Sequence, residues 1–197
     1  TNGLSRSKFR KYLAKILERI FIYKCDNIIV VSESIAEHYK KKYNIKKPLV
    51  ILNLPKYCSI SKKDLFRETF DIKQKSIIFL YQGALSKGRG IELILETFKS
   101  LQNIEYVVVF MGYGEFEEKI IEYSKESKNI FFQKAVSPNV VLEYTSSADI
   151  GLSLIENTCL SYYYCLPNKM FEYLMVGLPI IVSNMKEMSS FIDKYEV

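Results

Sequence analysis

Tryptophan is absent and histidine occurs once, at His38, in this chain of 197 residues. A Ser-His-Asp triad and a histidine-rich metal site both need imidazoles that such a sequence hardly supplies. The lone histidine sits in a lysine-rich helical stretch, where a solvated position is expected. The four cysteines, Cys25, Cys58, Cys159 and Cys165, fall at wide, irregular spacings without a CxxC pair. They read as reduced thiols of a cytoplasmic protein, packed as small hydrophobes, rather than as a zinc site. No apolar run approaches the roughly 18 uncharged residues that cross a bilayer. The chain opens Thr1-Asn2-Gly3, with neither Met nor a signal-peptide pattern, so a fragment or processed product is expected.

What is present is an ordinary globular balance, 48% hydrophobic and 25% charged. That excludes a disordered tail or a collagen-like repeat. The length allows one domain, or one domain and part of another. The net charge of +6 is unevenly placed: residues 1–50 hold 12 Lys and Arg against 4 Asp and Glu, and residues 51–197 hold 16 against 18. A nucleic-acid partner would want basic side chains over a whole binding face. Here the basicity belongs to one segment, and no nucleic-acid partner is expected.

Residues 7–23 place Phe9, Leu13, Ile16, Leu17, Ile20 and Phe21 at helical spacing, with Lys8, Arg10, Lys11, Lys15 and Arg19 elsewhere. Two readings of this basic amphipathic helix stay open: packing against a core, and lying on an anionic membrane surface. Asp26–Val31 reads as a short strand, with Ser32 as N-cap of a helix reaching about Lys42. Pro48–Leu52 reads as a second buried strand. Residues 53–75 turn polar and lysine-rich without a sustained period, which marks a linker.

From residue 76 the pattern becomes regular. Apolar runs at Ile77–Tyr81, Tyr106–Met111, Ile130–Phe132, Ala148–Leu154 and Leu178–Val182 read as strands. Helical patterns lie between them, near 90–101, 115–126, 138–146 and 169–176. Apolar strands alternating with helices predict an α/β fold, a Rossmann-like parallel sheet with helices on both faces. Ligands of such sheets bind beyond the carboxyl ends of the strands.

Five of the eight glycines lie in two loops of that kind. Tyr81–Gly90 runs from a strand into a helix and carries Gly83, Gly88 and Gly90 with Lys87 and Arg89. Small residues let a ligand approach the backbone, and helix-start amides and cations attract a phosphate. Tight-turn glycines beside solvated lysines account for this loop about as well. Met111–Glu115, with Gly112 and Gly114, repeats the arrangement in the next unit. The third feature is Pro167-Asn168-Lys169-Met170-Phe171-Glu172-Tyr173, with Asn168 as expected N-cap. Lys169 and Glu172 stand three apart on one helical face. They form either an ion pair or two separate contacts, Lys169 to a phosphate and Glu172 to a ribose diol.

Pro-Asn-Lys-x-Phe-Glu-Tyr followed by Gly177-Leu178-Pro179-Ile180-Ile181 resembles the nucleotide-sugar signature of family 4 glycosyltransferases, which have the two-domain GT-B fold. Further segments resemble the family in the same order: Asp26–Ser32, Ile51–Pro55, Gly83–Gly90, Gly112–Gly114 and Ala148–Leu152. The resemblance implies that residues 1–52 end an N-terminal acceptor-side domain, 53–75 link, and 76–197 form a C-terminally truncated nucleotide-sugar domain, one GT-B half. It implies donor-binding roles for Gly83, Lys87, Arg89, Gly112, Val136, Lys169 and Glu172, with Arg89 on the diphosphate, Glu172 on the ribose and Gln133–Val136 along the base.

The implied reaction is hexosyl transfer from a nucleoside-diphosphate sugar to the hydroxyl of a glycan or lipid-linked acceptor, with retention and without a metal or other cofactor. It would serve polysaccharide or glycolipid synthesis, with the protein cytoplasmic and in peripheral membrane contact through the basic segment 8–24. Activity is not expected from this chain alone, and the catalytic residues stay unassigned. The sequence departs from the family at Ala84, where many members carry Arg, and at Tyr164, where many carry a second Glu. A GT-B sugar-nucleotide epimerase and a non-enzymatic nucleotide-binding partner subunit are the alternatives.

Overall fold

The computed structural model describes residues 2–101 and 104–196, with the side chains of 2–9 and of 11 left out. The expected roles of Lys8, Phe9 and Lys11 on the first helix, and of Val197 as chain end, lie outside the described residues. The chain divides into two compact units, residues 1–52 and 53–197.

In the first unit, helix α1 (Asn2–Phe21) passes through a 3-10 turn (Ile22–Lys24) to strand β1 (Ile29–Val30), helix α2 (Glu33–Tyr43) and strand β2 (Leu49–Val50). The two strands pair in parallel, Ile29 against Leu49. Ser32 caps α2 as expected, its hydroxyl accepting from the Ile35 N–H. The Glu18 carboxylate of α1 accepts hydrogen bonds from Tyr39 at 2.6 Å and Lys42 at 3.3 Å, which ties α1 to α2. Leu13, Ile16, Leu17, Ile20 and Phe21 are exposed, so the apolar side of α1 is not packed into a core here. His38 is half-buried, with its ring edge-on to that of Tyr39 at 6.3 Å, and so is not fully solvated.

The second unit contains α3 (Leu65–Phe70), β3 (Ile77–Ala84), α4 (Ile91–Leu101), β4 (Tyr106–Tyr113), α5 (Glu117–Glu126), β5 (Ile130–Lys134) and α6 (Val141–Ser146). There follow β6 (Ile150–Ser153), α7 (Leu160–Tyr163), α8 (Asn168–Met175), β7 (Ile180–Val182) and α9 (Lys186–Tyr195). The sheet runs β5-β4-β3-β6-β7, every pair parallel. The expected α/β class with a Rossmann-like parallel sheet is therefore what the chain adopts.

Side chains alternate across the sheet, as the strand period of two requires. Tyr81, Val108, Phe110 and Ile130 pack with α4 and α5 on one face. Ile78, Leu80, Val107, Val109 and Met111 pack with Phe66 of α3 and Tyr173 of α8 on the other. Burial on both faces is why these strands read as apolar runs rather than as alternating ones. The chain builds outward from β3 through β4 to β5, then returns to β3's other edge for β6. The order thus reverses between β3 and β6, which makes their carboxyl ends the switch point where such sheets bind ligands.

The stretch 53–75 is not an irregular connection throughout. Helix α3 lies within it, with Phe66 fully buried and Arg67 and Ile72 nearly so. Six residues are too few to display a helical period, so the lysine-rich composition masked them.

Asp149, at the amino end of β6, fastens α3 to the sheet. Its carboxylate accepts from Lys62 at 2.6 Å, Arg67 at 2.7 Å and the Ile78 N–H at 2.9 Å. Burial pushes the Asp149 carboxyl up, but the hydrogen bonds from Lys62, Ile78 and Arg67 outweigh it and hold the group below its ordinary 3.8. Removing one partner of a buried pair strands the other charge. Asp149→Ala is expected to cost on the order of 3 kcal/mol in urea unfolding. The contribution is full above about pH 4 and fades as pH falls through the lowered native value. A variant with the parent's midpoint at pH 7 would mean the cluster is worth no more than a surface ion pair.

Candidate functional site

A cleft of about 610 Å³ opens at the carboxyl ends of β3 and β4, bounded by α7 and by the turn into α8. Of the seven residues singled out from sequence, Gly83, Arg89, Gly112, Val136, Lys169 and Glu172 line it. Lys87 does not. It faces a separate groove with Glu92, Glu156 and Cys159, and its N–H donates to Glu115 at 2.7 Å. The turn that sends Arg89 inward sends Lys87 out, which charge and spacing alone did not distinguish. Ala135 and Val136 line the cleft, but Gln133 turns its amide back to the Lys134 carbonyl. Tyr164 is not among the lining residues and its ring lies 5.2 Å from that of Tyr163.

The floor is formed where Gly83 and Gly112 stand opposite each other in the β3–β4 register. A Cβ at Gly112 would lie 1.9 Å from the Gly83 carbonyl oxygen, so no side chain fits there. The backbone itself is therefore presented to whatever enters.

Helix α8 carries the two charged residues. Pro167, not Asn168, stands at its N-cap position, and the Asn168 side chain accepts from Asn53 at 3.0 Å. Proline fits this place because the free N–H it lacks would have had no helical partner. Tyr173, one turn beyond Lys169, is fully buried, and its hydroxyl lies 3.0 Å from the Leu80 carbonyl and 3.2 Å from that of Leu152. It also accepts from the Gln82 N–H at 3.1 Å. These contacts set α8 against β3 and β6, so that its first turn opens on the cleft.

Lys169 and Glu172 do not pair with each other. Lys169 is only 8% exposed, and its Nζ lies 3.5 Å from the centroid of the Tyr81 ring. Arg89 holds its Cζ 4.9 Å from the Tyr162 ring centroid, and its buried Nε has no hydrogen-bond partner. Among the ion pairs of the described residues, neither cation takes part. Burial, then the nearby Arg89 charge, push the Lys169 ammonium well below its ordinary 10.5, against the pull of Glu172 and Cys165. Glu172 accepts from the Gln82 side-chain amide, whose oxygen in turn accepts from Thr145. Burial pushes the Cys165 thiol of the cleft wall up.

Gln82, Tyr81, Tyr162 and Thr145 are the contributors that the motifs did not single out. Gln82 had a signal that it shared with Gln133, an amide directly after an apolar strand run. The aromatic partners had none, because the fold brings them in from distant positions. Met111, Val136, Pro138 and Val141 give the cleft an apolar wall. Among the described residues, no group of three His, Cys, Asp or Glu side chains is placed to hold a metal ion.

A family model described as glycosyl transferases group 1 matches residues 62–197. The lipopolysaccharide 1,2-N-acetylglucosaminetransferase of Salmonella typhimurium is 24% identical over 183 residues, covering 84% of this chain and 46% of that protein. A solved S. aureus TarM variant, in complex with fondaparinux, alpha-GlcNAc-glycerol and UDP, superposes with a TM-score of 0.67 at 16% identity, over 90% of this chain and 34% of that one. Anabaena HepE, in complex with UDP and glucose, gives 0.66 at 14% identity, over 91% and 49%. At these identities the likeness of the solved structures is one of fold. The chain spans less than half the length of each of the three.

An uncompensated buried ammonium costs stability. Because the native state holds the Lys169 proton less tightly than the unfolded chain, that cost is greatest at low pH and shrinks as pH rises toward 10.5. Lys169→Met is therefore expected to raise the melting temperature at pH 7, by about 2–4 °C for each kcal/mol relieved. The gain should diminish in scans run at higher pH. A lower melting temperature would show that Lys169 holds the fold together instead.

Proposed function

The chain belongs to the group 1 glycosyl transferases, and on that footing we propose that residues 53–197 bind a nucleoside-diphosphate sugar as donor for transfer to an acceptor hydroxyl. The observation that carries this reading is the pair of cations, Arg89 and Lys169, each resting on an aromatic ring in one cleft without a carboxylate partner. Cations left so are suited to a ligand that brings its own negative charge. The first turn of α8 adds helix-start amides at the same place. In this reading Arg89 and Lys169 meet the diphosphate, Glu172 accepts the ribose hydroxyls, and the apolar wall around Val136 takes the base.

Transfer breaks the bond between the anomeric carbon and the diphosphate oxygen, so charge grows on the departing phosphate. Fixed cations there lower the barrier more than they strengthen ground-state binding. These two cations, rather than a metal ion, would carry that charge, and no other cofactor is assigned. Retention at the anomeric carbon and a hexosyl donor extend the same proposal. The names of the relatives favour UDP as the first nucleotide to try, and a glycan or lipid-linked acceptor of polysaccharide or glycolipid synthesis. A cytoplasmic site of action fits such a donor.

The second reading, a nucleotide-binding subunit without transfer, draws on Tyr164. It stands where the resemblance would put a second Glu, and it does not line the cleft. Binding without transfer to any acceptor, when the acceptor-side domain is present, would favour that reading.

Calorimetry with UDP, GDP and inorganic pyrophosphate tests the donor site. Arg89→Ala should weaken all three about tenfold or more, the worth of a charge-assisted contact. Glu172→Gln should weaken the nucleotides and spare pyrophosphate. Failure of the chain to bind either nucleotide would overturn the donor-site reading. For the peripheral membrane contact, α1 offers exposed Leu13, Leu17, Ile20 and Phe21 beside Lys15 and Arg19. Sedimentation with anionic vesicles, lost on Leu17→Glu with Phe21→Glu, would support that contact. Equal sedimentation with neutral vesicles would count against it.

A further inference from the structure

We propose that Gln82, with Thr145 behind it, is the positioning residue that orients the Glu172 carboxylate toward a vicinal diol and so sets a preference for ribose over 2′-deoxyribose nucleotides. The inference rests on the donor-site reading and goes beyond it, because it names what fixes the carboxylate rather than what the carboxylate binds.

Gln82 is the last residue of β3 before Gly83 and is only 3% exposed. Its backbone N–H is engaged by the Tyr173 hydroxyl at 3.1 Å, so the residue cannot slide along the strand. Both ends of its side-chain amide are engaged too. The Nε2 group donates to Glu172 Oε2, and Oε1 accepts from the Thr145 hydroxyl at 2.8 Å. Among the described residues, no hydrogen bond is made to Glu172 Oε1, which leaves that oxygen for a ligand.

Thr145 and Glu172 together decide which way the amide faces. Thr145 is fully buried, and its Oγ1 lies 2.8 Å from Gln82 Oε1 and 2.7 Å from the Val141 carbonyl oxygen. A hydroxyl has one proton and cannot donate to both. If the proton goes to Gln82, the amide must turn its NH2 toward Glu172, and a charge-assisted bond to an ionised carboxylate forms. If it goes to Val141, Oγ1 becomes an acceptor and draws the NH2 to itself. The amide oxygen then faces the carboxylate oxygen, two acceptors without a proton between them. The first arrangement also leaves one oxygen pair without a proton, Thr145 Oγ1 and the Val141 carbonyl, but both are neutral. An ionised Glu172 makes the second arrangement the costlier of the two, so the first is selected, and it holds Oε2 in place.

A carboxylate held by a neutral amide keeps its full charge and its remaining lone pairs, as acceptance of two adjacent hydroxyls requires. An arginine or lysine in place of Gln82 would fix the same group but neutralise it. Loss of the amide would leave Glu172 free to turn toward Lys169, the nearby cation of its own helix.

The test compares UDP with 2′-deoxy-UDP, and GDP with 2′-deoxy-GDP, by calorimetry on the chain, with inorganic pyrophosphate as the reference for the phosphate end. The parent is expected to prefer the ribonucleotide about tenfold or more. Gln82→Met and the isosteric Thr145→Val should each cut that preference to about a third or less, with a far smaller change for pyrophosphate. Thr145→Ser, which keeps the hydroxyl, should retain the preference. An unchanged preference in both Gln82→Met and Thr145→Val would overturn the proposal. So would an equal loss for ribonucleotide, deoxynucleotide and pyrophosphate, which is the signature of a general packing role. Should Gln82→Met fail to fold, the Thr145→Val and Thr145→Ser pair decides alone. Glu172→Gln separates the two ideas: if it abolishes the preference while Gln82→Met and Thr145→Val do not, the donor site stands and the positioning role falls. If the parent binds no nucleotide, both fall.

Discussion

The hydroxyl of Tyr173 is the contact on which the site depends. It is buried between β3 and β6, within hydrogen-bond reach of one carbonyl from each and of the Gln82 N–H. Its one proton goes to one of the two carbonyls while its oxygen accepts from Gln82, and a buried phenol left without such partners would cost about 1–3 kcal/mol. The ring needs room as well. A Cβ at Gly151 would lie 2.3 Å from it, so the glycine in β6 is the complement of the tyrosine in α8. Helix α8 is thus keyed to the point where the strand order reverses. Lys169 and Glu172 are carried into the cleft because they precede Tyr173 by one turn and by one residue.

The charges of the second unit are sorted by the direction of the strands. At the amino ends, Asp149 gathers Lys62, Arg67 and the Ile78 N–H into a satisfied cluster that fastens α3. At the carboxyl ends, Arg89 and Lys169 have no carboxylate partner, although Glu172 shares a helix with one of them. Gln82 occupies Glu172, and the Tyr81 and Tyr162 rings hold the cations by their faces. A face of an aromatic ring supports a cation without neutralising it. The carboxyl-end cations therefore keep charge available, whereas the amino-end ones spend theirs on the fold.

How far this could be read from the sequence follows from which signals are local. The strands of the parallel sheet showed as apolar runs because both of their faces are covered, and their register then placed Gly83 beside Gly112. Lys169 and Glu172 were legible because three residues in a helix share a face. Helix α3 was hidden in a lysine-rich stretch, and α7 and α9 were not expected at all. The pairing of Arg89 with Tyr162, and of Lys169 with Tyr81, joins residues 73 and 88 positions apart. No local period reports such a meeting. Lys87 misled for the converse reason: a charge in the right loop says nothing of the side to which the turn will point it.

Each feature that opens the cleft carries a cost in stability. Glycines at the floor give up side-chain packing, and a buried ammonium without a counter-ion is unfavourable wherever it is not used. Two clusters of apolar side chains, one on each face of the sheet, offset those costs, and they reach the site only at their edges, through Tyr81 in one and Met111 and Tyr173 in the other. An anion arriving between Arg89 and Lys169 would reverse the sign of the electrostatic part, because the same two charges then meet a partner in a place of low dielectric. The Thr145–Gln82–Glu172 chain works in the other direction. It spends buried hydrogen bonds to keep one carboxylate oriented and away from those cations. The cleft thus holds positive and negative groups side by side without letting them cancel, a separation that a ligand carrying both phosphates and a diol would need.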